Sequence, residues 1–169
     1  MKDEIRFGAP WALSVKIITI VVIGLLLGLP VIAAGKLPAN TPVLARLATT
    51  ILPPAILLCT LAFMVRGFVL THSELVIERF GWCNHIPLNM VVSVNADADA
   101  MRGSIRLCGS GGVFGFFGWF RNRKLGVYRA YGTDPRLSVV VKLTNRTIVV
   151  TPDDPNRFVT EINARWEMG

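Results

Sequence analysis

Two stretches of this chain are poorly suited to water. Residues 17–35 and residues 47–65 each run nineteen positions without a charge. A bilayer core of about 30 Å takes about 20 helical residues to cross. Each run is long enough to span, and the pair predicts a transmembrane helical hairpin with spans at about 12–35 and 45–66. The link between the runs is short and carries Pro38 and Pro42, as a tight turn between antiparallel helices requires. A soluble domain over 67–169 follows the hairpin, which itself takes residues 1–66.

Charge agrees with that division. Residues 1–66 hold six basic and two acidic side chains, and the rest hold twelve and nine, for a net +7. This surplus suits an anionic lipid surface. It is too dilute for nucleic acid, which wants a concentrated basic face. Lys2, Arg6 and Lys16 precede the first run, against Lys36 and Arg46 in the link. That bias places both termini and the domain in the cytoplasm. A leader peptide cleaved near Ala33 and Ala34 is the competing reading of the first run, although Ile32 suits such a cut poorly. Pro53 and Pro54 predict a kink in the second helix. Gly24 and Gly28 form a small-xxx-small pair that lets helices approach closely. Cys59, Cys83 and Cys108 are odd in number and show no metal-type spacing, so they read as reduced, mostly buried thiols.

Beyond residue 66 the pattern becomes short β-type runs separated by turn signals. Residues 67–71 and 74–80 flank a turn at His72, and residues 137–143 and 147–151 flank another at Asn145. Runs at 86–94, 103–108 and 126–131 bring the total to seven, which implies a sandwich or small barrel. A final helix starts at Asp153, Asp154 and Pro155, which supply a cap and an early proline. Phe158, Ile162 and Trp166 then recur on one face, and this stripe must pack on the sheet, plugging an open end. The fold class is therefore α+β, a helical hairpin followed by a β-sandwich or barrel capped by a C-terminal helix.

These segments resemble the bacterial pleckstrin-homology-like proteins that carry an N-terminal membrane hairpin. The resemblance rests on residues 73–77, 86–88, 91–94, 109–115 with Gly118, 126–134 and 149–153, and on the Phe158 helix. It covers roughly 68–166. It implies a seven-stranded, strongly bent sheet closed by the C-terminal helix, in a multi-pass protein of the bacterial inner membrane. Eukaryotic relatives of that fold often bind phosphoinositides through a basic first hairpin. Here residues 71–74 hold no lysine or arginine, so candidate anionic-lipid contacts are Arg102, Arg106, Arg121, Arg123 and Lys124. Arg102, Ser104 and Arg106 alternate along one strand and would share a face.

Residues 109–124 form the most unusual soluble segment, read here as a loop. Gly109, Gly112, Gly115 and Gly118 recur every third residue, with Gly111 added. Phe114, Phe116, Phe117, Trp119 and Phe120 place five of fifteen aromatics within seven residues, too much apolar surface to leave in water. Three covers are open: the domain's own core, lipid at the bilayer interface, or a partner chain, a second copy included.

Catalytic constellations are absent from the motifs. His72 and His85 belong to no triad signature, and Cys108 stands where a serine-nucleophile elbow needs glycine. Phe114 replaces the third glycine of a dinucleotide fingerprint. Asp97 and Asp99 have metal-pair spacing but lack a third ligand. No catalytic, cofactor or metal residue is expected. The leading reading is a non-enzymatic adaptor at the membrane. It would contact the lipid bilayer, anionic head groups, a membrane protein partner or another copy of itself. The alternative is a membrane enzyme or enzyme subunit acting on a lipid-linked substrate, with Asp97 and Asp99 holding a metal.

Overall fold

In the computed structural model, which describes residues 4–38 and 40–166, strand β1 (Ile5–Gly8) comes first and leads into helix α1 (Leu13–Lys36). Helix α2 (Val43–Ala62) returns to the domain. Both helices are long and apolar enough to cross a membrane. Neither behaves as the core helix of a soluble protein, since no described residue of α2 is buried and Leu25, Leu29, Ile51 and Leu58 are exposed. The link turns at Pro38, whose carbonyl accepts from Thr41 N–H and the Arg46 guanidinium. α2 runs through Pro53 and Pro54 as one helix, and α1 likewise contains Pro30. A Cβ added at Gly24 or Gly28 would meet nothing within 4 Å, so this glycine pair does not serve the contact between the two helices.

Nine further strands follow: β2 (Val65–Leu70), β3 (Glu74–Arg79), β4 (Cys83–Pro87), β5 (Val91–Ala96), β6 (Ile105–Gly111), β7 (Phe116–Asn122), β8 (Gly126–Gly132), β9 (Val139–Leu143) and β10 (Thr147–Val150). They form a four-stranded sheet, β1-β2-β3-β4, and a six-stranded sheet, β5-β9-β10-β8-β7-β6. Pairing is antiparallel except between β10 and β8. The arrangement is a sandwich. Phe68, Leu70, Leu75 and Ile77 of the first sheet meet Tyr131, Val139, Val141, Ile148 and Val150 of the second. Helix α3 (Pro155–Trp166) closes this core with Phe158 and Ile162, both fully buried. Asp154 caps it by accepting the Arg157 N–H at 3.0 Å. The Trp166 side chain, expected on the same stripe, lies outside the described part of the structure.

Three differences from the sequence reading raise the strand number from seven to ten among the described residues. The run at 86–94 is two strands, because Pro87 interrupts the ladder and a 3-10 turn at Leu88–Met90 follows. The glycine–aromatic segment is largely strand β7 and the end of β6 rather than a loop. Finally, β1 pairs with β2 in the register Ile5↔Leu70 to Gly8↔Gly67. Residues ahead of α1 therefore belong to the sandwich, with Phe7 buried 5.0 Å from the Phe158 ring. A second, smaller core on the outer side of the six-stranded sheet contains Ala100, Met101, Phe120, Tyr128 and Val149. The cysteines are free, as expected, but Cys59, Cys83 and Cys108 are all exposed rather than buried.

Candidate functional site

Strands β6 and β7 form a ribbon at the edge of the larger sheet, and its tip reaches the helices. The glycine spacing explains its shape. Gly109 and Gly118 stand directly opposite each other, with φ of 111° and 116°. A Cβ on Gly109 would lie 2.1 Å from the Phe117 carbonyl oxygen, and one on Gly118 2.2 Å from that of Cys108. The two backbones approach so closely that neither position admits a side chain. Gly112 and Gly115 close the turn through Gly112 N–H donating to the Gly115 carbonyl at 3.0 Å. Gly111, by contrast, has room for a Cβ, 3.5 Å from Arg106 Cδ.

Between the turn glycines Phe114 adopts a left-handed φ of 56°, uncommon for a bulky residue. Its N–H donates to Thr19 Oγ1 at 2.9 Å, and its ring meets Trp11 edge-on. Thr19 is a buried hydroxyl near the start of α1, and it also donates to the Gly112 carbonyl at 3.5 Å. Ile18 packs on Gly112. The ribbon tip is thereby held against α1.

A second joint holds the end of α2. Phe63 stacks on Phe117 with ring centroids 6.2 Å apart and meets Trp82 edge-on. Arg79, only 4% exposed, donates to the Phe63 carbonyl at 2.6 Å and to Asn84 Oδ1 at 2.9 Å. Its guanidinium carbon lies 4.6 Å from the Trp82 ring and 5.1 Å from that of Tyr131. Burial pulls the Arg79 pKa below its ordinary value, Tyr131 opposes this and nearby Arg129 adds to it. Arginine stays charged in proteins, so ring faces and carbonyl oxygens hold this cation in place of a carboxylate. Trp82 Nε1–H donates to the Ala62 carbonyl at 3.0 Å. The last carbonyls of α2 thus receive donors from β3 and the turn after it, where a helix terminus needs them.

The aromatic segment is covered mainly by the chain itself. Phe114 and Phe117 are buried against the helices, and Phe120 enters the second core. Phe116 is half-buried beside that core. Trp119 remains 38% exposed, opposite Cys108, with the Arg129 guanidinium 5.8 Å from its ring. The Arg129 Nε is buried without a hydrogen-bond partner among the described residues. Ile105, Leu107 and Val127 are exposed beside Trp119, on the edge strand and on β8.

The five candidate cations separate in space. Arg106 lines a cleft of about 380 Å³ between the ribbon and both helices, with Gly109, Ser110, Val113, Phe117, Val22, Leu26, Ile56, Leu57, Cys59, Thr60 and Phe63. Arg121 and Arg123 are exposed at the other end of β7. Arg102 lies 3.8 Å from Asp99, and Lys124 is ion-paired to Asp97 at 2.5 Å. Asp97 and Asp99 therefore each face a cation, and the described residues contain no group of three His, Cys, Asp or Glu able to hold a metal. His85 pairs with Glu74. His72 lines a larger cavity of about 510 Å³ with Ser73, Glu74, Leu88 and Arg165, remote in sequence from the ribbon. Sequence reasoning missed Thr19, Phe63, Arg79 and Arg129. A hydroxyl inside an apolar run was the one available signal, and it named no partner.

A scan against family models finds the bacterial PH domain over residues 66–166, from β2 through α3. The chain belongs to the bacterial PH domain family. The two apolar helices precede the matched PH domain, and β1 extends its first sheet from the far side of them. No curated protein matches the chain.

Proposed function

We propose that this protein is a non-enzymatic binding module fixed to the bacterial inner membrane by two spans. Its PH domain lies at the cytoplasmic surface, and the β6–β7 ribbon is its contact region. One observation carries the reading: the domain grips both helices. β1 and β2 flank the hairpin and pair with each other, Thr19 holds the ribbon tip, and Arg79 holds the end of α2. A domain on a free linker could point anywhere, whereas this one would present Trp119, Ile105 and Leu107 at a set height and angle. Trp prefers the water–lipid boundary, and exposed apolar side chains beside Arg121 and Arg129 suit either a lipid interface or a protein partner.

The exposed faces of α1 and α2 support spanning, since hydrocarbon covers them at no desolvation cost. β1 counts against a cleaved leader, because a cut near Ala34 would remove a paired strand and the buried Phe7. The test uses the full chain in native membranes, with a photo-crosslinking residue at Leu107. Capture of one defined neighbour, a second copy included, or of lipid is expected, with loss of that product in Trp119→Ser. Product unchanged by Trp119→Ser would overturn the ribbon as contact region. Release of the protein by alkaline carbonate would overturn the anchor. The enzyme alternative requires Asp97 and Asp99, so activity in cells lost in the Asp97→Asn, Asp99→Asn double variant would favour it over the module.

A further inference from the structure

The cleft beneath the ribbon has the chemistry of a lipid site. Its four aliphatic side chains from the two helices, Val22, Leu26, Ile56 and Leu57, lie in their apolar stretches, as do Cys59 and Thr60. A second apolar cavity, also about 380 Å³, is lined by Leu26, Leu27, Pro30, Val31, Thr50 and Pro54. The two share Leu26 on their linings and so adjoin, marking a track along the seam between α1 and α2. From Phe63 to Thr50 this track covers about 20 Å of helix. One leaflet supplies about 15 Å of hydrocarbon, so the track matches one leaflet plus its head-group boundary.

Polarity changes along the track. The distal cavity is bounded almost wholly by aliphatic carbon. At the domain end stands Arg106, whose side chain folds along its own strand and brings its guanidinium Nη1 to 3.8 Å from a Cβ position on Gly111, near the ribbon tip. Arg106 is exposed and has no ion pair among the described residues. Other polar groups on the lining are already committed: Ser110 donates to the Val113 carbonyl and Thr60 to the Ile56 carbonyl. An apolar track ending at one unbalanced guanidinium fits an acyl chain joined to an anionic head. Arginine is well suited to that head, since its planar fork matches phosphate oxygens.

We infer that the cleft binds a single anionic phospholipid, with one acyl chain along the α1–α2 seam and its phosphate on Arg106. This rests on the two-span reading above. The lipid would complete the interface between domain and helices, adding to the joints at Thr19, Arg79 and the β1–β2 ladder that already set the angle of the module.

Native mass spectrometry of the full chain in detergent, with equimolar phosphatidylglycerol and phosphatidylcholine, tests this. The wild type should retain one phospholipid, with phosphatidylglycerol favoured about fivefold, the factor one basic residue near the surface carries. Arg106→Gln should bring the two lipids to parity, Arg106→Lys should restore most of the preference, and Arg123→Gln should leave it unchanged. Val22→Trp, which fills the apolar part of the cleft, should lose both adducts. Preference intact in Arg106→Gln, an equal loss in Arg123→Gln, or a retained adduct in Val22→Trp would each overturn the inference. Carbonate extraction of the same variants reads the anchor separately, so a failed lipid site and a failed two-span reading give different results.

Discussion

Thr19 shows what one hydroxyl does at the junction of helix and ribbon. It accepts the Phe114 N–H in a buried setting, and removing an acceptor there leaves the donor unsatisfied, at about 1–3 kcal/mol. Thr19→Val keeps the shape and should lower the thermal midpoint of the detergent-solubilised protein by about 2–10 °C. Thr19→Ser should recover most of it, and equal effects would place the role in packing instead. Gly118 and Gly111 make a matched pair. Gly118→Ala meets the Cys108 carbonyl and a positive φ, and should cost at least about 3 kcal/mol. Gly111→Ala should stay within about 0.5 kcal/mol. Asp134 governs acid behaviour where the β8 end meets the N-terminal segment. Side-chain hydrogen bonds from Arg136 hold its carboxyl below the ordinary value against the opposing effect of burial, with help from the Arg136 backbone N–H and the nearby charge. A depressed folded-state pKa contributes stability above the unfolded value of about 3.9. That contribution is lost as pH falls through the folded value. Asp134→Asn should therefore flatten the acid limb of the stability profile in urea titrations between about pH 5 and 2.

At the scale of elements, β1 and α3 do related work from opposite ends of the chain. Phe158 touches both Phe7 and Phe68, so the helix, the first strand and the second strand share one contact. Phe158→Ala should cost about 3–5 kcal/mol and increase proteolysis of β1 as well as α3 in limited digestion. Protection of β1 in that variant would show that the sheet holds it independently. α3 was legible in the sequence because Asp154, Pro155, Phe158 and Ile162 obey local capping and periodicity rules. The four residues of β1 were not, because their alternation is too short to register beside a long apolar run. Their pairing with β2 depends on the helices returning the chain to the same place. The ribbon was misjudged for a related reason. Glycine and clustered phenylalanine read locally as a loop, and only the Gly109–Gly118 close approach makes them a strand pair.

For the whole molecule, the hairpin and sandwich form a single object with joints at Thr19, Arg79 and the β1–β2 ladder. The exposed cysteines report its placement. In inside-out vesicles a membrane-impermeant maleimide should label Cys83 and Cys108 within minutes and spare Cys59, and right-side-out vesicles should show neither. Labelling of Cys59 from water would contradict the second span. Hydrophobicity over nineteen residues, and alternation over five, are properties of neighbouring positions along the chain. The amino-acid order alone therefore determined the two apolar helices, the β-rich domain and its PH-like character. Which of five cations lines a cleft, which aromatics are covered and that no cysteine enters a core depend on groups as far apart as Thr19 and Phe114. Only the tertiary structure decided these, because burial and charge balance arise from surfaces that meet after the chain has folded.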